Sequence, residues 1–302
     1  MAKLKTPLLS LSASGSIGDV LSFANSSGQN LVRTKPSPTD PKSLAQMYHR
    51  WDYQDYAEYW HSLTPAQKQT WETNARRLKI TGFNYWMRTY LNTLPDIAAR
   101  WRLDEPSGII AYDSSKYATN GTISGASPTT GLIGGARHFI TDDYIEITCP
   151  QCNFTSGDFS IVARIIMHSL SAHNNLFCRG LFNADGYRLR ILSTGRIHVD
   201  TFQTPGDQHS NSSDGDILIN TPYTIGLSRS GASCKLFKDG IDITAFFGVH
   251  VDPAASTRTG KIGIYDTLLH EPFDGVIDDV TIYNRALTPQ EHLMRSGRRY
   301  PL

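Results

Sequence analysis

The sequence predicts a multidomain chain: an N-terminal β-hairpin arm over 1–40, a small three-helix domain over 41–95, and an all-β sandwich over 96–302. Three observations carry this reading. All five tryptophans stand in the first third, at 51, 60, 71, 86 and 101. Charge changes sign across the same region: residues 1–95 hold eleven Lys/Arg against six Asp/Glu, and the remainder holds 18 against 22. From Asp96 onward, short apolar runs of period two recur between turn residues, as in sandwich strands. The chain has 302 residues, 39% hydrophobic and 19% charged, enough to bury the cores of two ordinary domains. A net charge of +1 supplies no general field for DNA or an anionic membrane. No segment approaches the roughly 18 apolar residues of a membrane span. The opening apolar run is broken by Pro7, Ser10 and Ser12, so it reads as mature protein and not as a signal peptide.

The elements follow in order. Segments 20–24 and 30–33 flank the turn 25–29 and form a hairpin, which as a lone pair of strands needs a third surface. Pro36 to Pro41 stiffens the chain and stops the strand. A helix is expected after Pro41, with Tyr53, Tyr56, Trp60 and Leu63 on one face. Thr64, Pro65 and Gln67 spell a capping box for a second helix, whose face continues through Trp71, Ala75 and Leu78. Gly82 breaks that run, and Phe83, Trp86, Tyr90 and Leu94 share a face of a third helix. Aromatic stripes at this spacing read as core. Strands are expected at 99–103, 137–140, 144–148, 158–167, 176–182, 187–192, 196–202, 223–228, 234–237, 261–265 and 273–283. In the fourth of these, Phe159, Ile161, Ala163, Ile165 and Met167 share one face. Lys238-Asp239-Gly240 is a hairpin-type turn. A second capping box, Thr288 with Glu291, opens a late helix that Gly297 ends.

Cys149 and Cys152 form a CxxC. A zinc site wants a second close pair, and Cys178 and Cys234 stand alone. A redox CxxC would open a helix, whereas this one follows a strand-like run. Free thiols are therefore expected, with a Cys149–Cys152 disulfide or metal site as the alternative.

Residues 97–297 resemble the laminin-G-like, concanavalin-A-like jelly-roll family. The carrying motifs are Trp101 to Gly108, the Asp113-Ser114-Ser115 and Thr119 to Thr122 loop, Gly135 to Phe139 with Asp142 to Glu146, and, most specifically, Phe273 to Glu291. The resemblance implies an all-β jelly-roll sandwich serving mostly as a binding or spacer module. Residues 13–94 resemble a module of tailed-phage structural proteins, through Gly15 to Gly18, Val20 to Phe23, Gly28, Arg33, Pro38 to Pro41, Gln46, Arg50, Trp60 with Leu63, Trp71, and Gly82-Phe83-Asn84. Asn25 to Ser27 depart from that module, which has an aromatic and a lysine there. This second resemblance implies a virion protein assembled in the host cytoplasm. Phage capsid or tail proteins would be partners of the N-terminal module, host surface glycans are candidate ligands of the jelly roll, and the assembly leaves room for a homo-oligomer.

Candidate chemistry is sparse. A glucanase on this fold needs two carboxylates on one face. The adjacent pairs Asp278–Asp279 and Asp142–Asp143 instead point to opposite faces. HExxH, GxSxG and P-loop motifs are absent, so no enzyme is expected. The stretch 63–71 resembles an HMG box, but +5 spread over 95 residues is thin for minor-groove DNA, and no nucleic-acid partner is expected. Asp278 shares parity with Val276, Val280 and Ile282 and is expected to face inward, where a carboxylate must be paired, metal-bound or neutral. In the jelly-roll family a calcium often links the first loop to the last strand, which carries over onto Asp113, Asn120 and Asp278 as calcium ligands. The alternative is that Asp278 accepts backbone N–H groups. For sugar binding, Trp101 reads as core, while Tyr117, Tyr187 and Phe202 are candidates on loops. The polar run 203–215, with His209, Asn211 and Asp214, reads as a solvated loop. The histidines show no ligand spacing.

Overall fold

The structure, a computed structural model, describes residues 15–17, 21–26, 29–34, 50, 53, 56–57, 60–61, 63–91, 96–132, 134–171, 173–204, 206–265 and 271–296. The expected Pro36–Pro41 step, the start of the first helix, Leu94 and Gly297 lie outside the described residues, as does the opening segment 1–14. By contacts the chain divides into units 1–50 and 51–302. The boundaries read from sequence stood at 40/41 and 95/96.

In the first unit, strands Leu21–Ser26 and Gln29–Thr34 pair antiparallel, with Asn25 opposite Asn30. The glycine-rich approach is itself a strand, Gly15–Ile17, and pairs with Leu21–Ser26 to make three strands.

In the second unit, helix Pro65–Ala75 begins on the Thr64–Gln67 capping box with Pro65 in its first turn. A short 3-10 turn, Arg76–Leu78, follows, and Lys79 closes it in the left-handed region at φ 54°. That change of winding rotates Leu78 outward, to 46% exposure, so the expected face ends at Ala75. Gly82 begins helix Gly82–Leu91, donating its N–H to Glu72 Oε2 at 2.9 Å. A Cβ at Gly82 would stand 2.7–2.8 Å from Glu72, so the close approach of the two helices requires glycine. Tyr56, Trp60, Leu63, Trp86 and Met87 form a buried cluster, with Trp71, Phe83 and Tyr90 packed against it. Tyr53 lies outside it, 44% exposed. Trp86 stands 4.3 Å from Tyr90 and 4.9 Å from Trp71 between ring centroids, and its indole N–H donates to the Tyr56 carbonyl at 3.0 Å.

The sandwich has two antiparallel sheets. The first runs from edge to edge as Ile241–Asp242, Ser233–Lys238, Pro222–Ser230, Phe159–Met167, Gly275–Tyr283, Gly135–Phe139 and Ser127–Thr130, with Ile97–Trp101 also paired to Gly275–Tyr283. The second runs Asp207–Asn211, Ile197–Phe202, Asp185–Ile191, Asn174–Leu181, Gly260–Ile262, Tyr144–Ile147, Gly121–Ser124 and Ile110–Ala111. Phe159, Ile161, Ala163, Ile165 and Met167 all enter the core between the sheets, joined by Trp101, Phe139, Leu189 and Val199. Asp239 and Gly240 take left-handed angles in the turn between Ser233–Lys238 and Ile241–Asp242. The run read as a solvated loop contains the edge strand Asp207–Asn211, where polar residues are tolerated because one face and one edge meet solvent. Tyr187 and Phe202 are buried strand residues; Tyr117 is 43% exposed. Cys149 and Cys152 are joined in a disulfide, in place of the expected free thiols, because a short 3-10 turn, Pro150–Cys152, brings their Cα atoms to 5.3 Å. Cys178 and Cys234 are free and buried.

The outer face of the first sheet is not left to water. Helix Pro289–Arg295, on its Thr288–Glu291 capping box, lies over it. His292 stacks on Phe237 at 3.8 Å, and a Cβ at Gly226 would stand 2.4 Å from the His292 ring. From the same helix, Met294 enters the Tyr56–Trp60–Trp86 cluster, and the Arg295 guanidinium lies over the rings of Tyr56 and Tyr283. The helical cluster therefore completes its core with a side chain from the far end of the chain. Among the described residues, no helix is long and apolar enough to cross a membrane.

Met294→Ala should lower stability by about 2–3 kcal/mol. It should also speed amide exchange in 65–91 relative to the sandwich strands. Unchanged exchange in those helices would show that their core is complete without Met294.

Candidate functional site

The residues expected to bind calcium can be placed individually. Asp113 is buried, and its carboxylate accepts five hydrogen bonds: from the Arg100 and Ser115 backbone N–H groups at Oδ1, and from the Ser115 hydroxyl and the Thr119 N–H and hydroxyl at Oδ2, all at 2.8–2.9 Å. Asn120 Oδ1 accepts the Asp113 N–H at 3.0 Å. Asp278 Oδ2 accepts the Leu132 N–H at 2.9 Å. The donors around Asp113 are N–H and O–H groups that already fill its lone pairs, and a hard cation needs those lone pairs free. Asp113 therefore does not fit calcium and organises the first loop as a hydrogen-bond hub, while Asp278 accepts a backbone N–H, as the alternative reading had it.

Asp278 is buried as expected, at 1% exposure, but it does not face the core that its parity with Val280 and Ile282 predicts. Asp279 sits in the left-handed region at φ 48°, a bulge that lets Ile277 and Val280 both enter the core. Asp278 and Asp279 are thereby turned away from it. Asp279 accepts from Arg100 at 2.8 and 2.9 Å and from Arg164. Burial would raise its pKa, but these two guanidinium groups hold it well below the usual carboxylate range.

The outer face of the second sheet carries a different arrangement. Cross-strand partners line up as Ile110, Thr122, Glu146, Lys261, Cys178, Arg188, Asp200 and His209, one residue from each of the eight strands. Towards the Asp207–Asn211 edge this row becomes a dense polar cluster. Arg188 pairs with Asp200 at 2.9 Å and with Glu271 at 3.1 Å, and His198 Nε2 meets Asp200 Oδ1 at 2.8 Å. Asn175 donates to Glu271 at 2.8 Å. Burial pushes the Asp200 carboxyl up, but the His198 hydrogen bond and the charges of His198, Arg188 and Arg190 outweigh it and leave its pKa at about 2. His198 Nδ1 is buried and has no hydrogen-bond partner among the described residues.

From this cluster a stack of rings leads outward. His198 lies on His209 at 5.1 Å and 19°, and His209 lies on Phe246 at 5.2 Å and 25°. Here a groove of about 470 Å³ opens, lined by Arg196, His209, Asn211 to Asp214, Ala245 and Phe246. Phe246 is held in place because its N–H donates to the Asn211 carbonyl at 2.9 Å and its own carbonyl accepts the Asn211 N–H at 3.1 Å. Behind it, His250 bridges the Thr201 and Ser210 hydroxyls at 2.8 and 2.9 Å, pinning segment 245–251 to the edge strand. Burial depresses the His250 pKa to about 4, so the bridge is made by a neutral imidazole. Asp214 pairs with Arg196 at 2.9 Å on the rim. The groove offers a half-exposed aromatic face with carboxamide, hydroxyl, carboxylate and guanidinium groups beside it. That combination can stack the C–H face of a ring while hydrogen-bonding its substituents. The sequence run 203–215 held His209, Asn211 and Asp214, but Arg196 and Phe246 come from other segments, and no local signal joins them.

Three outcomes are expected of these sites. Asp113→Ala should cost about 3 kcal/mol in urea unfolding, since it strips partners from buried donors. Calcium added to metal-free protein should leave the melting temperature unchanged; a rise lost in Asp278→Ala would restore the calcium reading. His250 has a folded pKa below its unfolded value near 6.5, so acid protonates the unfolded chain first. Stability should then fall as pH drops from about 6.5 to 4, by up to roughly 3 kcal/mol from this residue. Urea titrations of His250→Gln at pH 7 and 4.5 should show a smaller loss than the parent.

Comparison with known proteins bears on the whole sandwich. Domain 4 of AbnA, a GH43 extracellular arabinanase from Geobacillus stearothermophilus, in complex with arabinotriose, is 18% identical; the match covers 67% of this chain and 98% of that one, with a TM-score of 0.50. The binding domain of botulinum neurotoxin DC in complex with SialylT is 13% identical, covering 67% and 51%, at 0.53. The binding domain of Paraclostridial Mosquitocidal Protein 1 is 14% identical, covering 67% and 52%, at 0.50. The match thus spans about half the length of the two toxin structures, and at these identities the likeness is one of fold. No curated protein matches the sequence. A laminin-G family model, described as the concanavalin A-like lectin/glucanases superfamily, matches residues 139–291. That segment holds most of both sheets, the Asp279 bulge and the edge strand beside the groove, and on it the chain belongs to the concanavalin A-like lectin/glucanases superfamily.

Proposed function

We propose that this chain is a non-enzymatic display protein of a phage particle, whose jelly roll binds host surface glycans in the Phe246 groove and whose N-terminal module attaches it to capsid or tail proteins. The observation that carries the glycan reading is the groove itself: the His209–Phe246 stack beside Asn211, Asp214 and Arg196. The fold neighbours support it, since one holds arabinotriose and another SialylT. The virion reading rests on the motifs of residues 13–94.

The non-enzymatic reading is supported by the carboxylates. A glycosidase needs an acid whose pKa is raised. Asp200 lies at about 2, and Asp200 and Glu271 both spend oxygens on Arg188. Glu146, Asp242, Asp279 and Glu291 are likewise held below their ordinary values by their hydrogen-bond and charge partners. A shallow, open groove suits weak binding per copy, and many copies on one particle can lift avidity by about 10² to 10⁴.

A glycan array read with monomeric and with multivalently displayed protein tests this. Signal in the multivalent form, lost in Phe246→Ala and Asn211→Ala, is the expected result. Silence in both forms would leave decoration of the particle without a ligand. Turnover of a polysaccharide, abolished by a single carboxylate substitution, would overturn the non-enzymatic reading. An image of the native particle at low resolution would then place the chain at the head or the tail.

A further inference from the structure

Three metal-ligating side chains meet at one end of the first sheet, far apart in sequence. His138 lies on strand Gly135–Phe139, His168 directly follows Phe159–Met167, and Asp274 directly precedes Gly275–Tyr283. The pairing brings these ends together: Val276 is opposite His138, Met167 is opposite Gly275, and the His168 N–H donates to the Asp274 carbonyl at 2.9 Å. The Asp274 N–H in turn donates to Asn174 Oδ1 at 2.9 Å, which fixes the backbone that carries the carboxylate.

His138 Nε2 stands 3.2 Å from His168 Nδ1, and one ligand atom from each of His138, His168 and Asp274 lies within 4.8 Å of the others. Tetrahedral zinc with Zn–N bonds of about 2.0–2.1 Å sets two nitrogens about 3.3 Å apart. The two imidazoles already hold that spacing. A direct imidazole–imidazole hydrogen bond would account for the distance but gives the neighbouring carboxylate no part. His168 is exposed and the other two are half-buried, so an ion can reach the cluster. Two imidazoles and one carboxylate select zinc-class ions over calcium or magnesium, which prefer all-oxygen sets.

We propose that His138, His168 and Asp274 bind one divalent transition-metal ion of the zinc class, with solvent completing the coordination. This is independent of the glycan reading, because the ligands lie on the other sheet from the edge strand Asp207–Asn211. The ion would tie the ends of three adjacent strands, stabilising the folded chain by binding it alone.

The test uses the full-length chain, made without a histidine tag, stripped with a chelator and dialysed. Zinc chloride titrated in a calorimeter should bind at one ion per chain through this site and raise the melting temperature. His168→Gln and Asp274→Asn should each weaken that binding at least tenfold and remove the thermal shift. Because His168 is exposed, His168→Gln should melt like the parent when zinc is absent; His138→Gln serves as the second variant if it does not. Cobalt(II) in place of zinc should give visible absorption of a tetrahedral ion that the variants lose. Equal zinc affinity in the parent and in His138→Gln/His168→Gln, or no binding at micromolar zinc, would overturn the proposal.

Discussion

A largely enclosed carboxylate that must be neutralised, Asp279, ties together several elements of this second unit. It sits at a bulge in the central strand Gly275–Tyr283, between Ile97–Trp101 and Phe159–Met167, and takes Arg100 from one neighbour and Arg164 from the other. Removing one partner of such a group leaves a buried charge uncompensated, at about 3–5 kcal/mol. The same bulge resets the strand so that Ile277 and Val280 both reach the core. Arg164 also donates to the Arg295 carbonyl at 3.3 Å, which ties the ion pair to the C-terminal helix. That helix brings Met294 and Arg295 to the aromatic cluster of Tyr56, Trp60 and Trp86. One electrostatic requirement thus links the sheet, the last helix and the helical cluster.

The two outer faces of the sandwich differ in kind. On the first sheet the face is closed: Val162, Tyr283, Ile97 and Leu287 form their own apolar cluster, and the Ser160 and Ser228 hydroxyls, 2.7 Å apart, are engaged by Leu287 and His292. On the second sheet the face carries the polar row that ends at Asp200 and His209. Arg188 there is satisfied by carboxylates and by the rings of Tyr265 and Phe202, 4.4 and 5.4 Å from its guanidinium carbon. A polar network of this kind holds side chains in fixed positions only when most of its members are satisfied. The groove lies where that network reaches solvent, and its aromatic platform is held by backbone bonds to Asn211 and by a neutral His250. Rigid placement of this sort lowers the ordering cost of binding.

Much of the fold was legible in the residues. Both capping boxes are local, three residues apart, and need nothing distant to form. The alternation from Phe159 to Met167 reports a strand with one face on the core, because side chains alternate with period two; that the other face is also covered was not legible in it. The turn at Asp239 and Gly240 needs left-handed angles that this pair adopts readily. The jelly-roll motifs, above all Phe273 to Glu291, lie in a contiguous stretch and led to the superfamily directly.

The rest depended on contacts between segments that have no local signature. A single left-handed residue at Asp279 inverted the parity on which Asp278 had been placed, and bulges are set by what the neighbouring strands supply. Asp113 looked like a metal ligand because it is acidic in an oxygen-rich loop; only the folded loop aims Arg100, Ser115 and Thr119 donors at it. Glu271 meets Arg188, Phe246 meets His209, and His138 meets His168 across separations of 83, 37 and 30 residues. Residue types and local spacing determined the strands, the caps and the superfamily of this chain. Sheet pairing decided which side chains became neighbours, because register between distant strands is set by the packing of the whole sandwich and not by any one of its segments.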